Sequence, residues 1–151
     1  ILKGGYIMGG KRASKSELFL MELIFSILFF SIASAVCVTL FVHARLTSIE
    51  STQLTAATLQ AQSAAETFKS VNADLDQAAD LLNAQQTPEG SLQILYDQNW
   101  NPVSEPDSAS YLLTLTPDDP SPDSNQLCSA QIQVSKQGES IYELTVTQYV
   151  R

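Results

Sequence analysis

From Leu18 to Val42 the chain reads LFLMELIFSILFFSIASAVCVTLFV, and the only charged side chain in that stretch is Glu22. The part from Leu23 to Val42 carries no charge at all. At about 1.5 Å of rise per residue, a helix of that length covers roughly 30 Å, the hydrocarbon thickness of a bilayer. The stretch therefore reads as one transmembrane helix. A secretory signal peptide is the competing reading, but its apolar core spans only about 7 to 15 residues and leads to a small-residue cleavage site. Here the apolar run continues through Leu40, Phe41 and Val42 into His43 and Arg45 with no Ala-x-Ala exit.

The 151 residues leave about 105 beyond Arg45, enough for one small domain. The net charge of −8 is unevenly spread. Ahead of the apolar run stand Lys3, Lys11, Arg12 and Lys15 against Glu17, whereas beyond Arg45 there are 14 acids against Lys69, Lys136 and Arg151. The positive-inside rule then keeps the basic end in the cytoplasm and the acidic part outside, in a single-pass arrangement with the lipid bilayer as one partner. An acidic exported part argues against nucleic acid or anionic lipid as a partner of the head. The two cysteines, Cys37 in the apolar run and Cys128 far from it, encode neither a disulfide framework nor a zinc site.

Beyond the apolar run, the chain has no Pro or Gly until Pro88 and Gly90, so nothing local stops a helix begun near Glu17. Leu54, Ala57, Ala61, Ala64, Phe68, Val71, Leu75, Ala78 and Leu82 recur at alternating steps of three and four, a single apolar stripe on a helix. Unbroken to Leu82, that helix would run about 100 Å. The same spacing suits a self-associating coiled-coil stalk. Four alanines among the nine positions fit close packing on a flat surface better. Ser91–Asp97, Tyr111–Thr116, Cys128–Ser135 and Ile141–Tyr149 supply such a surface: they are short, alternating and rich in β-branched or aromatic residues. Leu92, Ile94 and Tyr96 share a face, as do Tyr111, Leu113 and Leu115, then Ala130, Ile132 and Val134, then Tyr142, Leu144 and Val146. The intervening turn-rich loops favour an antiparallel meander with the helix stripe as its cover. The expected fold is therefore α+β, one long N-terminal helix packed on a four-stranded antiparallel sheet. Its divisions are a cytoplasmic leader over 1–17, a transmembrane helix over 18–45, an amphipathic extension over 46–87 and a β head over 88–151.

Leu18-Phe19-Leu20-Met21-Glu22-Leu23-Ile24, following a short basic leader and preceding a helix that carries a sheet, is similar to the start of type IV pilins and type II secretion pseudopilins. The resemblance covers roughly residues 11 to 85 by pattern, and the sheet by architecture alone. It implies that Glu22 is an assembly carboxylate, with Phe19 and Leu23 beside it in subunit contacts and other pilin-like subunits as partners through the membrane helix, in a homo- or hetero-oligomer. Two features depart from the family. Glu17 stands where the family's peptidase finds a Gly, and the family's Gly and Pro inside the membrane segment are missing, Thr39 standing about where the Pro would be. The departures imply a pilin-like protein retained in the bacterial cytoplasmic membrane as a minor or accessory component. A membrane-anchored binding or sensing ectodomain outside any filament is the alternative of a different class.

Among single residues, Glu22 is the one whose bland reading is costly, since a carboxylate in a bilayer must pair, protonate or snorkel toward Lys15 and the headgroups. Ser31 and Ala35, four residues apart, are candidates for close helix packing. Asp118, Asp119 and Asp123 are weak calcium candidates without EF-hand spacing, in a loop where acids are usually solvated. Trp100 is expected to cover the end of the sheet, with an exposed partner-binding role as the other reading. The sole histidine, His43, belongs to no recognisable catalytic constellation, so neither enzyme activity nor a cofactor is expected. Finally, Lys3-Gly4-Gly5 two codons ahead of Met8 can be encoded by a bacterial ribosome-binding site, which makes Met8 a candidate initiator and residues 1–7 a leader untranslated in the cell, with an ordinary flexible tail from Ile1 as the alternative.

Overall fold

The computed structural model describes residues 4, 14–119, 123 and 125–151. The reading of residues 1–7 as leader, the Met8 start and the basic residues Lys11 and Arg12 lie outside those described, Gly4 excepted. Helix α1 spans Lys15–Ser70 and helix α2 spans Leu75–Leu82. The strands are β1 (Gln85–Gln86), β2 (Leu92–Tyr96), β3 (Pro102–Val103), β4 (Tyr111–Pro117), β5 (Leu127–Lys136) and β6 (Glu139–Tyr149). Two compact units divide the chain after Ser48.

In the second unit, α1 packs on an antiparallel sheet whose strand order is β1-β2-β4-β5-β6, with β3 also paired to β2. The alternation read from the sequence is the alternation of burial. Leu92, Ile94 and Tyr96 are buried on β2, Tyr111, Leu113 and Leu115 on β4, and Ala130, Ile132 and Val134 on β5. On β6, Val146 is buried while Tyr142 and Leu144 pack partly buried against the same core. The residues between them are partly or fully exposed amides and hydroxyls such as Gln93, Thr114, Gln131, Gln133 and Thr145. Ala57, Ala61, Ala64 and Phe68 supply the helix side of this core and are at most 1% exposed. The stripe is thus buried against the chain's own sheet, as a cover and not a coiled-coil seam. Leu54, its first member, is instead 45% exposed.

The sheet has six strands where the sequence led us to expect four. The two additions are two residues each, too short for any period to register, and both lie along the same edge of β2. Gln85 pairs with Gln93 through β1, and Val103 with Leu95 through β3. Pro102 suits such a position because an edge strand can spare an N–H.

The helix is also shorter than expected. It stops at Ser70 instead of reaching Leu82, and the break is a Schellman arrangement: the Ala73 N–H donates to the Phe68 carbonyl at 3.0 Å and Asn72 N–H to Lys69 at 3.2 Å. Asn72 and Ala73 both take left-handed backbone, with φ of 54° and 63°. Asp74 then caps α2, its Oδ1 accepting from the N–H groups of Asp76 and Gln77. Ala78 and Ala79 of α2 are buried in the same core, which is why the apolar spacing runs across the break.

Turn chemistry closes the sheet. Gln137 and Gly138, at φ of 51° and 85°, form the two-residue turn between β5 and β6, as left-handed pairs do in tight hairpins. The Asp97 carboxylate accepts from the N–H groups of Asn99 and Asn101 at 2.8 and 2.9 Å, which holds Trp100 at φ 64°. Trp100 stacks on Tyr111 with ring centroids 4.0 Å apart and leans on Tyr96 at 5.9 Å. It covers one end of the sheet and is half-buried there.

Two outcomes follow for the head. Truncating Phe68 to Ala, which leaves a cavity beneath the strands, lowers stability by about 3–5 kcal/mol, read as the shift of the urea midpoint. The hydrogen bond from the Asn101 backbone, followed by those from the Asn101 side chain and the Asn99 backbone, holds the Asp97 carboxyl below its ordinary value. A lowered folded value means that its stabilising contribution is present above the unfolded carboxylate value of about 3.9 and is lost as pH falls through the folded one. The melting temperature of Asp97→Ala therefore lies below that of the parent protein at pH 7, and the gap closes as the pH is taken below about 3.9.

Candidate functional site

The first unit contributes the remainder of α1, and its start is set by a reciprocal cap. Ser14 N–H donates to Glu17 Oε2 at 3.0 Å, while Glu17 N–H donates to Ser14 Oγ at 3.2 Å. This is a capping box, Ser-x-x-Glu, which satisfies two of the N–H groups that every helix start leaves open. The pattern Ser14-Lys15-Ser16-Glu17 is visible in the sequence. Weighing Glu17 as a leader charge and as the residue at the peptidase position leaves this signal unused.

From Leu18 to Val42 the side chains are exposed, including Phe19, Phe25, Phe29, Phe30 and Phe41, each at least 62% so. By length and composition α1 is long and apolar enough to cross a membrane, and among the described residues it is the one helix that is. Monomeric soluble proteins rarely expose contiguous apolar patches larger than a few hundred Å². Glu22 lies on it, at the rim of an open groove formed with Phe25, Ser26, Phe29 and Ile32. The side chains of Phe19 and Leu23 are exposed beside it, at 67% and 46%.

Two hydroxyls in this stretch bond back to their own helix. Ser31 Oγ donates to the Ile27 carbonyl at 2.8 Å and Thr39 Oγ1 to the Ala35 carbonyl at 2.9 Å. This bonding to the preceding turn lets a polar side chain sit in an apolar environment without an unmet donor. Ser31 and Ala35 therefore present a small, hydrogen-bonded surface. His43 is exposed on the same helix.

In the second unit, Asp118 and Asp119 follow β4, the Asp118 N–H donating to the Ser129 carbonyl at 2.8 Å. Asp123 is exposed further along the same loop. Among the described residues no group of three or more His, Cys, Asp or Glu side chains is arranged to hold a metal ion, so the three aspartates are not brought together as ligands. Their charges are felt elsewhere. Burial first, and then the negative charges of Asp119 and Asp118, push the Cys128 thiol above its ordinary value. Cys128 is buried and Cys37 exposed, and both are free thiols.

No protein-family model, no curated protein and no solved structure matches this chain. The candidate site therefore rests on its own chemistry: a single carboxylate on an extensive apolar helix surface.

The Cys128 environment yields a direct check. A thiolate is the reactive form of cysteine, and a buried thiol with a raised pKa offers little of it. Cys128 is expected to alkylate at least tenfold more slowly in the folded protein than in urea, measured by mass spectrometry of iodoacetamide-labelled peptides at pH 8.

Proposed function

We propose that this chain is a pilin-like structural subunit of the pseudopilin or minor-pilin kind, serving a bacterial type IV pilus, type II secretion or DNA-uptake apparatus. On this reading the apolar half of α1 anchors the protein in the cytoplasmic membrane with its N-terminus inside. The acidic head presents its surfaces outside the cell, and neighbouring pilin-like subunits associate through the anchor. The chain acts by assembly and not by catalysis.

Glu22 is the observation that carries this reading. A carboxylate near the start of a 20-residue uncharged run costs roughly 2.5–3.5 kcal/mol at a bilayer centre and less near its edge, unless a cation neutralises it. A mere anchor gains nothing from that residue, and Leu or Ile in its place would insert more easily. An assembling helix gains a specific and directional contact in a medium where apolar surfaces alone discriminate poorly between neighbours. The architecture gives further support. Residues 18–42 of α1 are exposed and largely apolar, while Ala57, Ala61, Ala64 and Phe68 of the same helix are buried with an antiparallel sheet.

Glu22→Gln separates anchoring from assembly. The variant is expected to fractionate with membranes in parental amounts and to keep the circular dichroism of the head, while its recovery in sedimentable assemblies falls at least tenfold. Parental recovery in those assemblies would overturn the reading. If it came with a saturable small ligand on the head, a sensing ectodomain would take its place.

A further inference from the structure

The two edges of the sheet differ. Along β2 the edge is taken: Gln93 pairs with Gln85 of β1, Leu95 with Val103 of β3, and the Asp97 N–H donates to the Asn101 carbonyl at 2.9 Å. The opposite edge is β6, which among the described residues pairs with β5 alone. Val150 N–H donates to the Gln126 carbonyl at 2.9 Å, and in an antiparallel ladder every second residue turns its N–H and C=O toward the same neighbour. Counting back through the register, Gln148, Val146, Leu144 and Tyr142 bond to β5. The other side of β5 agrees, since Ser129 is bonded there to β4's end through the Asp118 N–H at 2.8 Å. The backbone groups of Glu143, Thr145, Thr147 and Tyr149 therefore point out of the open edge, and all four residues are exposed.

Edge strands are ordinarily blunted by Pro, Lys or a bulge, because a row of open N–H and C=O groups recruits another strand. Strand β3 follows that rule with Pro102. Strand β6 does not. Glu139–Tyr149 holds neither Pro nor Lys, and the one register shift lies between Val134 and Ser135, at the turn end of the hairpin. We propose that β6 takes up a cationic, extended segment of another polypeptide as an added strand. Every second side chain of that segment is apolar and lies on the core side, where Tyr142 and Leu144 are only partly buried at the rim. The alternate ones share the outer face with Thr145, Thr147 and Glu143, whose carboxylate accepts from the Gln131 side chain. Glu143 is the only charge between Ser140 and Tyr149, so the outer face selects a Lys or Arg opposite it. Charge also decides against a second copy as the occupant. Beyond Arg45 the chain carries 14 acids against Lys69, Lys136 and Arg151, so a copy would bring a like field to the edge.

The test uses the full chain in nanodiscs and two short capped peptides, Thr-Val-Thr-Val-Lys-Val-Thr-Val-Thr and the same peptide with Glu for Lys, each fluorescently labelled and kept where it is monomeric. The Lys peptide is expected to bind saturably by fluorescence anisotropy, about threefold or more tightly than the Glu peptide at low salt. It should also slow hydrogen exchange at the amides of Glu143, Thr145 and Thr147. Thr145→Pro removes an N–H that β5 does not use, so the sheet keeps its ladder while affinity falls by about tenfold. Circular dichroism checks that this variant is folded. Glu143→Lys, which leaves the backbone edge intact, should reverse the preference between the two peptides. Absence of saturable binding up to millimolar peptide would overturn the proposal, as would equal affinity for both peptides or binding that Thr145→Pro leaves unchanged. Protection of the same amides by self-association of the parent chain alone, relieved by Thr145→Pro, would assign the edge to a second copy and overturn it too. None of these outcomes touches the dependence of assembly on Glu22, which is read separately.

Discussion

The architecture of the head depends on the fit between α1 and the sheet. Ala57, Ala61 and Ala64 bring side chains of a single carbon into the core that Leu92, Ile94, Leu113, Leu115, Ile132 and Val134 build from the strands. The strands supply most of the apolar volume, and the helix closes it with small residues. Phe68 is the exception that proves useful: it is the one large residue on the buried helix face, fully enclosed, and it fills the space that the alanines leave toward α2. Large residues in place of the alanines would lift the helix and open voids along the same strands, and interiors at crystal-like density tolerate neither change well.

That dependence accounts for the features at the margins of the head. Ending α1 at Ser70 with two left-handed residues lets the chain turn and return as α2, so that Ala78 and Ala79 extend the small-residue cover over the core. Left-handed Ala73 carries a steric cost that Gly would avoid, and the two Schellman hydrogen bonds together with the capped start of α2 offset it. At the other end, the Asp97 turn and the stack of Trp100 on Tyr111 close the core. The ammonium of Lys136 lies 5.6 Å from the centre of the Tyr111 ring, a favourable cation–π placement. The Tyr96 hydroxyl donates to Gln60 Oε1 at 3.2 Å, tying that end of β2 back to α1.

The first unit obeys a different rule. Among the described residues its side chains are exposed, and the hydroxyls of Ser31 and Thr39 bond to their own helix. Under the proposed function, what such a surface lacks is supplied by lipid or by another helix, and neither neutralises Glu22 unless a cation comes with it. Under the proposed function, the carboxylate is therefore where specificity enters an otherwise greasy contact.

The amino-acid order by itself determined the elements that repeat. Alternation over five or more residues marked β2, β4, β5 and β6, and steps of three and four marked the buried face of α1, because side-chain direction follows backbone period wherever one side meets a core. The absence of charge over 20 residues marked the helix fit to cross a membrane, and Glu22 stood out against it. Only the tertiary structure decided what has no period. Strands β1 and β3 exist because β2 had an open edge within reach, and the stop at Ser70 was hidden because α2 resumes the same apolar face after a break made by Asn72 and Ala73. At the candidate site, Ser14, Lys15, Glu17 and Glu22 were all in plain view as letters. Ser-x-x-Glu offered the cap as a pattern, and the distances of about 3 Å between Ser14 and Glu17 decide that Glu17 is engaged in it.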